Sequence, residues 1–260
     1  MNTTPPVAPA ARRVCLTVDV EQDCPPYLNT WRGLDEGLPR LLEVLAGHGV
    51  QGTFFTTGET ARKFPQRVGE IVAAGHELGS HGDTHRRFTT MNATAARDDL
   101  AAAAATLRAF APVRGFRAPW LDFPAEFVPL LAELGFAYDS SQARYKFGAR
   151  HRPAPAALPR VAASATSSVL RLPRVLRRPW LAALTEPAVL FVHPWEFVDF
   201  RAERRMRWDC RFRTGPAALA ELGGMLADEA AAGTVFLRMD ALPETRTPAR
   251  PNAPPPGGQM

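Results

Sequence analysis

The chain has 260 residues, of which 46% are hydrophobic, enough to bury a sizeable core in one large α/β domain or two small ones. No apolar run approaches the ~18–20 residues that cross a bilayer, and Met1–Arg13 has no apolar segment of the signal-peptide kind, so a cytoplasmic location is expected. The formal charge of +5 rests almost wholly on arginine, and three scattered cysteines (Cys15, Cys24, Cys210) argue against a disulfide framework.

Residues 1–13, rich in Pro, Ala and Thr, read as a disordered arm, and the Pro-dense stretch 242–260 as a disordered tail. Between them the apolar pattern starts with a buried strand, Val14–Val20. An amphipathic helix, Asp35–Gly47, follows, with Asp35 as N-cap and Gly47 or Gly49 as stop. Next come strand Val50–Thr56, helix Pro65–Ala74 closed by Gly75, and strand Glu77–Ser80. Helix Thr94–Phe110, capped by Asn92, leads to strand Arg114–Ala118; helix Pro124–Leu134 ends at Gly135 before strand Phe136–Asp139. Residues 142–187, rich in Pro and Arg, break the pattern as an irregular insertion with a short helix near Val175 to Leu184. Order resumes with strand Ala188–His193, helix Pro216–Ala231 and strand Thr234–Arg238. Seven strands alternating with helices predict a parallel sheet, and a barrel-like closure suits this count better than a doubly wound sheet. No Gly-rich phosphate loop follows any strand.

The polar residues concentrate where strands end. The first strand ends Asp19-Val20-Glu21, and the third at His81 with His85 beyond it. The fourth ends at Arg117-Ala118-Pro119-Trp120, the fifth at Asp139, and the sixth at His193-Pro194-Trp195-Glu196. Five of the seven strands thus deliver an ionisable group to one rim, the rim where barrels of this kind carry chemistry. Asp19 and Glu21, at i and i+2, project to one side of their strand. Two buried carboxylates repel unless a cation neutralises one. His81 and His85, spaced four apart, project together, and with one carboxylate they make the His₂-carboxylate set that hydrolytic metals use. A metal there would lower the pKa of bound water toward ~7. The free carboxylate would then be general base and His193 general acid, with Arg117 paired to the base or to the substrate.

The motifs Thr17-Val18-Asp19, Gly79-Ser80-His81-Gly82-Asp83-Thr84-His85, Arg117-Ala118-Pro119-Trp120 and Phe191-Val192-His193, in this order, resemble the polysaccharide deacetylase (NodB-homology, carbohydrate esterase family 4-like) superfamily from Val14 to Arg238. The resemblance implies an α/β fold, a distorted seven-stranded (β/α) barrel over residues 14–241 with the basic insertion 142–187. It further implies a divalent metal, most commonly Zn²⁺, and hydrolysis of an N-acyl group, usually acetyl, from an amino sugar in a polysaccharide or lipid-linked glycan. By position, Asp19 would be the base, His81 and His85 metal ligands, Arg117 the residue orienting the base, and His193 the acid with Asp139 as its partner. Pro119, Trp120 and Trp195 would line the substrate site. One departure stands out: Val20 occupies the place of a second aspartate common in the family, so Glu21 would supply the third ligand.

A narrower resemblance concerns the substrate. The stretch Thr30-Trp31-Arg32-Gly33-Leu34-Asp35-Glu36-Gly37-Leu38-Pro39-Arg40-Leu41-Leu42 looks like part of the deformylase acting on undecaprenyl-phosphate-linked formamido-arabinose, an enzyme without the Arg-x-Pro-Trp motif. A polyprenyl-phosphate-linked amino sugar is therefore the alternative substrate. The arginine clusters at 144–178 and 201–213 would then meet a phosphate, an acidic glycan or an anionic membrane surface, or else form a solvated basic face. No nucleic-acid-binding motif accompanies them, and no nucleic acid partner is expected. A non-catalytic glycan-binding member of the same fold is the remaining alternative.

Overall fold

The computed structural model describes residues 11–146 and 158–242. Residues 1–10 of the expected arm, 147–157 of the expected insertion (with Arg150 and Arg152) and the expected tail beyond Leu242 lie outside the described residues.

All seven expected strands form, shorter than the sequence suggests at most ends: β1 (Arg13–Val20), β2 (Thr53–Thr56), β3 (Glu77–Ser80), β4 (Gly115–Phe116), β5 (Tyr138–Asp139), β6 (Ala188–Val192) and β7 (Val235–Phe236). The helices are α1 (Leu38–Gly47), α2 (Gly58–Lys63), α3 (Pro65–Ala73), α4 (Ala93–Arg108), α5 (Val128–Glu133), α6 (Ser167–Leu170), α7 (Arg174–Ala182), α8 (Trp208–Arg211) and α9 (Pro216–Ala231). The strands make one parallel sheet in the order β5-β4-β3-β2-β1-β6, with β7 paired to the start of β1. Register runs Thr17↔Thr53 and Val20↔Thr56 between β1 and β2, and Val14↔Ala188 to Val18↔Val192 between β1 and β6. Parallel pairing puts every strand's C-terminal end on the same side, which gathers the expected site residues on one rim.

The sheet curls into a half-barrel whose outer edges, β5 and β6, are joined through the insertion. Residues 159–164 span the gap. Asp139 N–H donates to Pro159 O at 2.9 Å and Val161 N–H to Asp139 O at 2.8 Å; farther along, Ser164 N–H donates to Val189 O at 2.7 Å. The insertion therefore completes the wall as well as decorating it.

Alternation along β1 separates two environments. Val14, Leu16, Val18 and Val20 face outward and pack under Leu38, Leu41 and Leu45 of α1 and Ala218 and Leu222 of α9. Each leucine so buried contributes roughly 1.5–3 kcal/mol of transfer free energy. On the inner side Cys15 packs with Phe55 and Tyr138, while Thr17 and Asp19 meet the guanidinium of Arg117. The inner face is thus apolar below and charged at the rim.

Two local expectations need correction. Asp35 does not cap α1; it lies within a π-helical turn, Gly33–Gly37, that runs directly into that helix. The capping work falls to Asp23, whose carboxylate accepts N–H bonds from Arg32 and Gly33, both at 2.8 Å. The short α2 also escaped the pattern, because six residues are too few to display a period; the Thr57 side chain caps it by accepting from Thr60 N–H. Asn92 caps α4 as expected, accepting from Ala95 N–H at 2.9 Å.

Candidate functional site

The third strand ends at Ser80, and the turn after it carries both imidazoles. His81 is buried, and its Nδ1 donates to Arg117 O at 2.7 Å, which leaves the lone pair on Nε2. That Nε2 lies 3.2 Å from Glu21 Oε2, and His85 Nε2 contacts the same oxygen. His85 reaches it from a left-handed backbone, φ 51°, and its ring packs on Trp120 with centroids 4.4 Å apart. Glu21, His81 and His85 therefore bring three ligand atoms within 4.8 Å of one another. Burial alone would raise the Glu21 pKa; the charges and hydrogen bonds of His85 and His81, with His193 behind, outweigh it and hold the carboxyl well below the usual range. Two imidazole nitrogens and a carboxylate converging in a buried spot are the donor set of a divalent cation such as zinc, so these residues fit the metal that the sequence called for.

Asp19, two residues before Glu21 on β1, has a different neighbour. Arg117, fully buried at 0% exposure, donates from Nη1 to Asp19 Oδ1 and to Thr17 Oγ1, both at 2.7 Å. Its Nη2 donates to Ser140 Oγ at 2.9 Å, and the guanidinium lies over the Phe55 ring at 4.3 Å. A buried guanidinium demands a counter-charge, and Asp19 is it. The pairing fixes the Asp19 rotamer at the rim.

Across the rim, His193 ends the strand run of β6. Its Nδ1 lies 2.9 Å from Glu196 Oε1 and its Nε2 3.8 Å from Glu21 Oε1; its ring stacks on Trp195 at 5.0 Å. Burial would lower the His193 pKa, but the Glu196 bond and the charges of Glu21, Glu196 and Asp19 raise it to about 9. Asp19, Glu21, His81, His85 and His193 line one cavity of about 200 Å³, with Trp120 and Trp195 in its walls. Trp120 and Leu121, both in the cavity wall, adopt φ 58° and 52°, a left-handed pair that costs non-glycine residues ~1–2 kcal/mol each, and so turn the chain sharply after Pro119, which is buried and, against expectation, does not line the cavity.

Asp139 does not reach His193. It is fully buried behind the rim, where its carboxylate accepts from Arg160 Nε at 2.7 Å and from Ser141 N–H at 2.9 Å. Ser141 Oγ in turn accepts from Ala118 N–H at 2.8 Å, so Asp139 braces the Arg117–Trp120 segment instead. The partner of His193 is Glu196, three residues on, at the N3 position of a capping box whose N-cap is His193. That spacing was visible in the sequence. Arg171, which faces Glu196 at 3.0 Å, was not, because the contact joins distant segments.

Four more of the described insertion arginines have internal partners, while Arg178 is exposed. Arg144 binds Thr185, Arg160 binds Asp139, Arg174 binds Asp228 and Arg177 binds Glu221. In the second cluster Arg201, Arg205 and Arg207 pair with Asp199, Glu203 and Asp209. The stretch 30–42 also has a structural use: a Cβ on Gly37 would sit 2.0 Å from Pro194 O and one on Gly33 2.7 Å from Trp195 N, so both glycines let this segment press on the His193–Glu196 turn.

Residues 7–138 match the family described as polysaccharide deacetylase, a span that carries Asp19, Glu21, His81, His85 and Arg117. A peptidoglycan deacetylase of Helicobacter pylori is 34% identical over 116 residues, covering 42% of this chain and 39% of the relative. A chitooligosaccharide deacetylase of Sinorhizobium fredii is 32% identical over 102 residues, covering 38% of this chain and 47% of the relative. The matched stretches thus span less than half of either relative's length. Among solved structures, a candidate polysaccharide deacetylase from Mycobacterium smegmatis superposes with a TM-score of 0.69 at 23% identity, covering 97% of this chain and 99% of that one, which shows the shared curled-barrel fold. With half of its length matched to that family and the NodB-type barrel around it, this chain belongs to the polysaccharide deacetylases.

Proposed function

We propose that this chain is a metal-dependent hydrolase that removes an N-acetyl group from an amino sugar of a glycan, with peptidoglycan and chitooligosaccharides as the substrate classes to which its relatives point. The observation that carries the reading is the meeting of Glu21, His81 and His85 in one cavity with Asp19 beside them and His193 opposite.

Glu21 Oε2, His81 Nε2 and His85 Nε2 would hold the ion, zinc by the chemistry of the set. When bound, it supplies Lewis acidity toward the acetyl carbonyl and acidifies water. Asp19, held at Oδ1 by Arg117, takes the proton of the attacking water. His193, anchored at Nδ1 by Glu196, faces the cavity with Nε2 and donates a proton to the departing amine. The carbon–nitrogen bond breaks, the acyl carbon keeps the water oxygen, and acetate and a free amino sugar result. Trp120 and Trp195 offer flat apolar walls for the sugar ring.

The lipid-phosphate-linked alternative draws little from the insertion: among its described arginines Arg144, Arg160, Arg171, Arg174 and Arg177 have internal partners, while Arg178 is exposed, and the packing of Gly33 and Gly37 gives the 30–42 stretch a structural use. Acetate release from N-acetylated chitooligosaccharide and from peptidoglycan tests the proposal; release from neither, by zinc-loaded protein, overturns it.

A further inference from the structure

Glu196 joins three parts of the chain that are far apart in sequence. It is 1% exposed, and its Oε1 accepts from both the backbone N–H and the Nδ1 of His193, each at 2.9 Å. Its Oε2 lies 3.0 Å from Arg171 Nε, an ion pair without a hydrogen bond between the two atoms. Arg171, 3% exposed, belongs to the basic insertion, directly after α6. Its Nη1 donates to Cys210 O and Phe212 O, both at 2.7 Å, and its Nη2 to Asp209 O at 2.9 Å. Three carbonyls of the α8 segment thus clamp the guanidinium, and its one remaining face is turned to Glu196.

We propose that Arg171 is a positioning residue, which acts through Glu196 to keep the His193 ring turned with Nε2 toward the cavity. The proposal rests on the catalytic reading of His193 given above. A buried carboxylate with no counter-charge is costly and takes up a proton. A protonated Glu196 would lose the charge that holds His193 Nδ1–H, and the ring would be free to turn. Arg171 supplies the compensation from a direction that the α8 carbonyls fix, so the charge cannot wander. Arg117 does the same for Asp19 on the other side of the cavity. The base and the acid are then each set by one buried arginine, and the insertion carries one of the two.

A double-mutant cycle in the full zinc-loaded chain tests this, with Arg171→Gln, Glu196→Gln and the pair together. Arg171→Gln is expected to lower kcat roughly 10- to 100-fold, the scale of a mispositioned catalytic group, with KM unchanged. If Arg171 acts through Glu196, adding Arg171→Gln to Glu196→Gln lowers kcat no further. Multiplied losses, or an Arg171→Gln protein with the parent kcat, overturn the proposal. Because Arg171→Gln strands a buried carboxylate and risks misfolding, the double variant, which strands none, and Arg171→Lys keep the test decisive. Arg171→Lys must retain more activity than Arg171→Gln, or than the double variant if Arg171→Gln does not fold. Proton–nitrogen NMR of the histidine rings gives a readout independent of turnover: the hydrogen-bonded His193 Nδ1–H signal, assigned by its absence in His193→Asn, is expected to vanish in Arg171→Gln, where Glu196 is still in place, and to persist in Arg171→Lys. Persistence in Arg171→Gln, or loss in Arg171→Lys, sinks the proposal. If no glycan is deacetylated by the parent chain, the proposed function fails, while the NMR result still decides the role of Arg171.

Discussion

Asp19 and Glu21 are two carboxylates, two residues apart on one strand, given different work by their neighbours. Glu21, the proposed ligand, sits among imidazoles and is held ionised; Asp19, the proposed base, leans on a buried guanidinium at the rim. Replacing Asp19 with Asn is expected to lower kcat roughly 100- to 10,000-fold, the usual worth of a general base, while zinc content stays at the parent level. Glu21→Gln is expected to lose zinc during dialysis, as measured by elemental analysis, because a neutral amide is a poor ligand to a hard-to-borderline cation. That these four side chains would gather was legible in the sequence, since strand spacing put the carboxylates on one side and the His81/His85 spacing put two rings within reach; which carboxylate would be ligand and which base was implied only by the family resemblance. The assignment of Asp139 as partner of His193 was not sound: Arg160, arriving from the insertion, takes that carboxylate, and Glu196 stands nearer. Pairings between distant segments leave no local pattern to read.

At the scale of elements, the site depends on how closely the π-helical turn Gly33–Gly37 presses on the turn after β6. Gly37→Ala would place a methyl 2.0 Å from Pro194 O, so one backbone must retreat. Overpacking of this kind costs roughly 1–3 kcal/mol; a lowered melting temperature, with a larger proportional loss in kcat than in zinc affinity, is the expected result. Strand and helix identities were readable because β1 and α1 carry strong apolar periods. Strand lengths were not, because the parallel ladder is set by which neighbours bond: β4 and β5 contribute only two residues each. The Asp35 cap failed for a related reason, as Asp23, twelve residues upstream, already holds the N–H groups at that turn.

At the scale of the whole molecule, much of the basic charge is met internally, by Glu and Asp two to about fifty residues away. Composition reveals an excess of arginine and says nothing of its partners. One buried group couples overall stability to pH. His76 Nδ1 accepts Gly52 N–H at 3.0 Å, so it must be neutral, and burial, with Arg238 nearby, lowers its pKa to about 4. The folded state then binds fewer protons than the unfolded one between pH 4 and 6.5. Its contribution is complete above the unfolded value and is lost as pH falls toward the folded one, by at most about 3 kcal/mol. His76→Asn, which keeps an acceptor for Gly52, is expected to flatten that part of the stability curve in urea titrations across the range; an unchanged slope would show that His76 is not its source.

The most direct measurement is acetate release from N-acetylated chitooligosaccharide by chelator-stripped protein as zinc is returned in measured steps. Release should be absent at first, rise in proportion to added zinc and level off at one ion per chain, as a single site built from Glu21, His81 and His85 requires. Release that persists in the stripped protein, or that never appears at any zinc level, would contradict it.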